Sequence, residues 1–249
     1  TSKFSDKLVV LRLLDLGGDK VAGFQKSEDA GDNPCMGLRS MRFLLENPKL
    51  FSLQLRAALK ATHKQVCLLY PMVSGWDELE RINSFIEKTI EELRSEGVDV
   101  IQPLKGIMVE VPSIVARFED YVEHFDVFNI GTNDLTQYTL AADRNNDMVS
   151  DYYRSCHPSI LSMIEKVARL SKQHGKKAII CGQMGADFKT LPLLIGLGIE
   201  NISVNWPLVS PLKKKVSELD MNECRRLAEK VLACRSLSEV EACLEVASE

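Results

Sequence analysis

Short apolar, often β-branched runs alternate along this chain with longer stretches whose apolar positions recur every three or four residues. The short runs are Leu8–Leu14, Gln65–Tyr70, Gly106–Val109, Val127–Ile130, Lys177–Ile180 and Asn201–Val204. Their length and apolar or β-branched content predict strands. Between them, Leu79, Ile82, Ile86, Ile90 and Leu93 keep helical spacing until Gly97, and Asp77-x-x-Glu80 predicts a capping-box start. Ser159 precedes a second such series, Ile160, Ile164, Val167 and Leu170, with Gly175 as its C-terminal stop. The tail from Asp220 to Ala247 predicts two helices parted near Ser236, with Leu227, Val231, Val240 and Leu244 facing inward. Such alternation implies βαβ units and a parallel sheet. No internal repeat or low-complexity tract interrupts it. Gly23–Asp32 lacks apolar periodicity and reads as a loose connection.

The polar residues change the picture. Arg12 falls near the end of the first predicted strand, Glu110 just after the third and Asn133-Asp134 after the fourth. Cys181 follows the fifth strand and Asn205 the sixth. Carboxyl ends of strands are where α/β barrels and open α/β sheets build their sites. The densest stretch is Gly131-Thr132-Asn133-Asp134-Leu135-Thr136-Gln137, continued by Tyr138 to Arg144. Asn133 and Asp134 offer neighbouring oxygens, and Arg144 offers a planar fork for phosphate or carboxylate. That set suits an anionic, metal-bridged ligand. Each residue also has a plainer reading: an Asx cap for Asn133-Asp134, solvated helix arginines for Arg39 and Arg56, a capping carboxylate for Glu110, a core thiol for Cys181.

Composition narrows the classes. The 249 residues carry 45% hydrophobic side chains, enough for a core, and a net charge of −4 with no basic stripe, which argues against a nucleic-acid surface. No apolar run reaches the about 18 residues a membrane span needs, so no membrane insertion is expected. Seven cysteines without a C-x-x-C pair fit a reducing, cytoplasmic setting with neither zinc site nor disulfide framework. His63, His124, His157 and His174 lie outside the polar motifs, and none reads as a phosphohistidine.

Arg12-x-x-Asp15-x-Gly17-Gly18-Asp19-Lys20, Asn33-Pro34-x-x-Gly37-x-Arg39, Val109-Glu110-x-Pro112, the Gly131–Arg144 stretch and Cys181-Gly182 occur in one family's order. The chain resembles the C-terminal, phosphoenolpyruvate-binding domain of enzyme I of the bacterial sugar phosphotransferase system and its nitrogen-system paralogue. Pyruvate phosphate dikinase and phosphoenolpyruvate synthase share the domain type. The resemblance implies a (β/α)8 TIM-type barrel spanning residues 1–249, with a C-terminal helical segment over 207–249. It implies that Arg12, Arg39 and Arg144 bind the substrate phosphate and that Asn133 contacts it. Glu110 and Asp134 would ligate Mg²⁺, and Cys181 would protonate enolpyruvate to pyruvate. The implied partners are phosphoenolpyruvate or pyruvate, a phosphohistidine domain, a downstream carrier protein and a second copy in a homodimer.

The chain departs from that pattern. Six strands are predicted where the barrel has eight, so the first two βα units, one with an Arg-Thr-Glu motif, are expected to be missing. This leaves sheet edges to be covered by another segment or chain. Asn129 replaces the family's usual serine, and Gln183 replaces the glutamate after Cys-Gly. Ser203-Val204-Asn205-Trp206 replaces Ser-Met-Ser, with Trp206 expected to narrow the mouth. Two other functions stay open: a phosphoenolpyruvate or pyruvate sensor or dimerisation module without turnover, and a Mg²⁺-dependent lyase or aldolase of the pyruvate-enolate group.

Overall fold

The computed structural model describes residues 6–16, 34–61 and 65–246. Gly17 to Asn33, and with them the Gly-Gly-Asp-Lys stretch and the Gly23–Asp32 connection, fall outside the described residues, as does His63. The architecture is α/β with six parallel strands, the number read from the sequence. Contacts divide it into two compact units, one running to Met108 and including Phe125–Val127, the other comprising Val109–His124 and the chain from Phe128.

In the first unit β1 (Val9–Arg12), β2 (Val66–Tyr70) and β3 (Leu104–Val109) lie in chain order. They pair parallel, with Leu11 opposite Leu68 and Leu68 opposite Lys105. Helices α1 (Ser40–Glu46), α2 (Pro48–Lys60) and α3 (Trp76–Ser95) cover them. All five β2 residues are buried, as a two-sided strand requires. Gly106 tolerates no side chain, because a Cβ there would come within 2.7 Å of Cys67 Sγ. Helix α3 buries Leu79, Ile82, Ile86, Ile90 and Leu93 as its periodicity predicts. Each such side chain removed from water is worth about 1.5–3 kcal/mol. Phe51 of α2 stacks on Phe85 at 4.5 Å.

The start of α3 corrects the expected capping box. Its N-cap is Gly75, without a side-chain cap. The carboxylate that reaches back belongs to Glu78, which accepts the Ser74 N–H at 2.7 Å and the Ser74 hydroxyl at 3.0 Å. Glu80 instead accepts the Trp76 indole N–H at 3.0 Å. Both bonds run from Ser74 to Glu78, without the reciprocal bond to a helix N–H that a capping box has.

The second unit holds β4 (Val127–Gly131), β5 (Lys177–Cys181) and β6 (Asn201–Ile202), again in chain order. Strand β6 is two residues shorter at its end than expected, though the Ser203 N–H still donates to the Ile180 carbonyl at 2.8 Å. Around these strands lie α4 (Pro112–Ala116), α5 (Phe118–Tyr121), α6 (Thr132–Leu140), α7 (Pro158–Gln173) and α8 (Leu191–Gly196). Phe118 meets Phe128 of β4 edge-on at 4.7 Å. Helix α7 starts one residue before the expected Ser159, capped by His157, whose Nδ1 accepts the Ser159 N–H. The C-terminal helices are α9 (Trp206–Ser217), α10 (Met221–Leu232) and α11 (Leu237–Val246). Leu227, Val231 and Val240 are buried as read, while α9 buries none of its residues and Trp206 stands 86% exposed at its start. Among the described residues no helix is long and apolar enough to cross a membrane.

Candidate functional site

Arg12 is the last residue of β1, and its side chain is half-exposed. Three residues on, Asp15 is buried, and Arg12 Nη1 lies 3.6 Å from it. Arg39, the residue before α1, is also buried and donates from Nη2 to both Asp15 oxygens at 3.0 and 3.1 Å. The Ser40 hydroxyl donates to the same carboxylate. Ser40 itself adopts the left-handed region at φ 54°, and its N–H donates to the Leu16 carbonyl at 2.9 Å. Burial alone would raise the Asp15 carboxyl. The Ser40 hydroxyl, Arg39 and Arg12 overcome it and hold Asp15 below its ordinary 3.8. Two arginines read from the sequence as phosphate ligands are thus organised by one carboxylate. Asp15 lay inside the motif without an assigned role. Its signal was an acid three residues after Arg12 in an apolar stretch.

Arg56 takes the plainer reading. It runs along α2 and pairs with Glu96 and, at 4.0 Å, with Glu92.

The polar residues of the second unit are set by how β4 and β5 end. Glu110 directly follows β3, precedes the Pro112 start of α4 and is 3% exposed. Strand β4 runs straight into α6, so Asn133 and Asp134 occupy the helix's first turn, where backbone N–H groups and the dipole favour negative charge. Asp134 is buried, and Arg144 Nη1 lies 3.5 Å from its Oδ2. Arg144 comes back after α6 because Ala141 turns left-handed at φ 51°, and the buried Gln137 Oε1 accepts the Arg144 N–H at 3.1 Å. Gln137 was part of the motif with no assigned role; here it ties the returning loop to the helix.

Asn133 is a junction. Its Oδ1 accepts the Gln183 N–H at 3.1 Å, and its carbonyl accepts the Tyr153 hydroxyl at 3.1 Å. Tyr153 lies outside every motif and was not legible from the sequence. Burial pushes its phenol upward from the ordinary value of 10.0 against the pull of Arg144, with Asp134 adding to the rise. Cys181 ends β5, half-buried, with its S–H donating to the Ile130 carbonyl at 3.3 Å. The Thr132 hydroxyl donates to the Cys181 carbonyl at 3.1 Å. Gly182 then adopts φ +106°, where a Cβ would overlap Thr132 Oγ1 and come within 3.1 Å of Asn133 Oδ1. The Cys-Gly pair is therefore a steric requirement: only glycine lets the β5 end close against the α6 start.

Asn129, in place of the usual serine, is 6% exposed, and its Oδ1 has no hydrogen-bond partner. A cleft of about 630 Å³ flanks Tyr153, lined also by Arg154, Cys156, Asp187, Lys189, Glu241 and Leu244.

Among the described residues no group of three or more His, Cys, Asp or Glu side chains is placed to hold a metal. Glu110 and Asp134 are both buried carboxylates, the donor type that a hard cation such as Mg²⁺ takes beside water and substrate oxygens.

In each unit, parallel strands of an α/β fold end beside an acid and a guanidinium, residue types suited to anionic small molecules. The family described as PEP-utilising enzyme, PEP-binding domain, matches residues 1–221. The chain is 39% identical over 241 residues to a multiphosphoryl transfer protein of Escherichia coli O157:H7, covering 96% of this chain and 29% of that protein. It is 37% identical to a protein of Escherichia coli strain K12 named phosphoenolpyruvate-dependent phosphotransferase system, covering 95% and 32% respectively. With a phosphoenolpyruvate-protein phosphotransferase of Staphylococcus aureus it shares 36% identity, over 94% of this chain and 41% of that protein. The chain belongs to the family of PEP-utilising enzymes, as a PEP-binding domain. It spans between 29% and 41% of the length of these relatives.

Proposed function

We propose that residues 1–249 form one phosphoenolpyruvate-binding domain of an enzyme-I-like phosphotransferase, which passes the phosphoryl group to a histidine in a separate domain and releases pyruvate. The observation that carries this reading is the Asp134–Arg144 pair at the α6 start. A buried carboxylate and a guanidinium stand 3.5 Å apart beside the Asn133 carboxamide, the side-chain types that a cation and a phosphate take. In this reading Arg12, Arg39 and Arg144 neutralise the phosphate, and Asn133 orients it. Phosphoryl transfer needs positioning and charge neutralisation more than covalent help, so such a set suffices. Glu110 and Asp134 would hold Mg²⁺, whose charge favours the enolate form of the product. The Cys181 thiol then gives its proton to the methylene carbon, which a thiol already protonated at rest can do.

Three whole-protein features belong to the same proposal: a cytoplasmic setting, a homodimer and a downstream phosphocarrier. One observation favours a second reading, a binding module with impaired turnover. Gln183 presents a neutral amide after Cys181-Gly182, where a carboxylate could return the proton to sulfur. Labelled phosphoenolpyruvate supplied to a protein carrying this domain together with its histidine-bearing domain decides between them. The enzyme reading expects label on histidine with pyruvate released, and a large loss of pyruvate release in Cys181→Ala. Binding without label transfer would leave the sensor and overturn the enzyme.

A further inference from the structure

Helices α10 and α11 form a hairpin whose turn is locked by a capping box. The Ser236 hydroxyl accepts the Glu239 N–H at 3.3 Å, and the Glu239 carboxylate accepts the N–H groups of Arg235 and Ser236 at 2.7 and 3.4 Å. This turn fixes Cys234, just after α10, opposite Cys243 on α11, with the two sulfurs 3.9 Å apart. Cys234 Sγ also leans on the Lys230 carbonyl at 3.3 Å. Both thiols are half-buried rather than sealed in the core. Cys243 lines a cleft of about 480 Å³ with Arg226, Lys230, Glu223 and Val246. One sulfur is therefore open to a small reagent, and the second waits beside it.

We propose that Cys234 and Cys243 are a reversible oxidative modification site, in which Cys243 takes a hydroperoxide and Cys234 resolves it to an intramolecular disulfide. The Cys243 thiolate attacks the peroxide. The O–O bond breaks, an S–O bond forms, and water or an alcohol leaves with the proton. The Cys234 thiolate then attacks the sulfenic sulfur. The S–S bond forms as the S–O bond breaks, and the hydroxide leaves as water. Two electrons pass from the sulfur pair to the peroxide. Closing to the about 2.05 Å of a disulfide asks for side-chain rotation across an already fixed hairpin. Small thiols reverse the step, in keeping with a reducing compartment. The oxidised hairpin holds one wall of the Tyr153 cleft, because α11 carries Glu241, which pairs with Arg154 at 3.2 Å.

The test treats the full chain with hydrogen peroxide, blocks remaining thiols and digests with trypsin. Peptides 231–235 and 236–249 are expected joined, with the loss of two hydrogens. The joined species should be the dominant disulfide and should vanish on treatment with a dithiol reductant. Cys234→Ser should abolish it and leave Cys243 as a dimedone-trapped sulfenic acid, while Cys224→Ser leaves it unchanged. Separate peptides with Cys243 over-oxidised in the wild-type chain, or Cys243 joined to another cysteine, would overturn the proposal.

Discussion

Each unit of this protein sets a guanidinium against a buried carboxylate, and the two pairings differ. In the first, Asp15 is saturated: Ser40, Arg39 and Arg12 all converge on it, and its carboxyl is held below the ordinary range. In the second, Asp134 meets Arg144 at 3.5 Å. A saturated carboxylate is a fastening, which spends its charge on presenting arginines. Asp134 opens a helix in the second unit, and on the proposed reading it meets the ligand while Asp15 is architectural, although both sequences of residues look like acid-and-arginine motifs.

The largest expected effect breaks the first pairing. Asp15→Asn leaves the buried Arg39 guanidinium with a neutral partner and should cost about 3 kcal/mol of stability in denaturant unfolding. The same variant carries a pH signature. Because the folded carboxyl sits below its unfolded value of 3.8, its contribution is complete above that value and fades as the pH falls through the lower folded one. Wild-type stability should therefore decline as the pH drops past 3.8, and Asp15→Asn should lack that part of the decline. Equal acid sensitivity in both would contradict the fastening role.

A smaller effect probes the backbone beneath the second pairing. Gly182→Ala forces a Cβ against Thr132 Oγ1 at a positive φ and should cost about 2 kcal/mol, read as a lowered melting temperature. Unchanged melting would mean that β5 and α6 do not need the close approach. The smallest is Tyr153→Phe, which removes the phenol's hydrogen bonds to the Asn133 carbonyl and with Arg144. It should lower stability by about 1 kcal/mol in denaturant unfolding.

Much of this was legible beforehand, for reasons that differ by element. Strand β2 and helix α3 advertise themselves because two-sided burial and one-sided burial leave distinct periods. The α3 start was misplaced because Asp77 and Glu80 have the residue types of a box, yet Ser74 and Glu78 make the bonds. Strand β6 ran short because beyond Ile202 the pairing continues only through the Ser203 N–H to the Ile180 carbonyl. The motif residues Arg12, Glu110, Asn133, Asp134 and Cys181 were found through their places at strand ends. Asp15's grip on Arg39 joins residues 24 apart in sequence, and Tyr153's bond to Asn133 joins a loop to a helix start. No periodicity encodes such long-range pairs, and only the fold reveals them.

The central claim is that Asp134 serves the ligand and Cys181 serves the proton. Calorimetric titration of phosphoenolpyruvate with Mg²⁺ into the wild-type chain, Asp134→Ala and Cys181→Ala tests both at once. The account predicts binding by the wild type, a loss of affinity of at least tenfold in Asp134→Ala, equivalent to about 1.4 kcal/mol, and nearly unchanged binding in Cys181→Ala. Unaltered binding by a folded Asp134→Ala, or no binding by the folded wild-type chain, would contradict it.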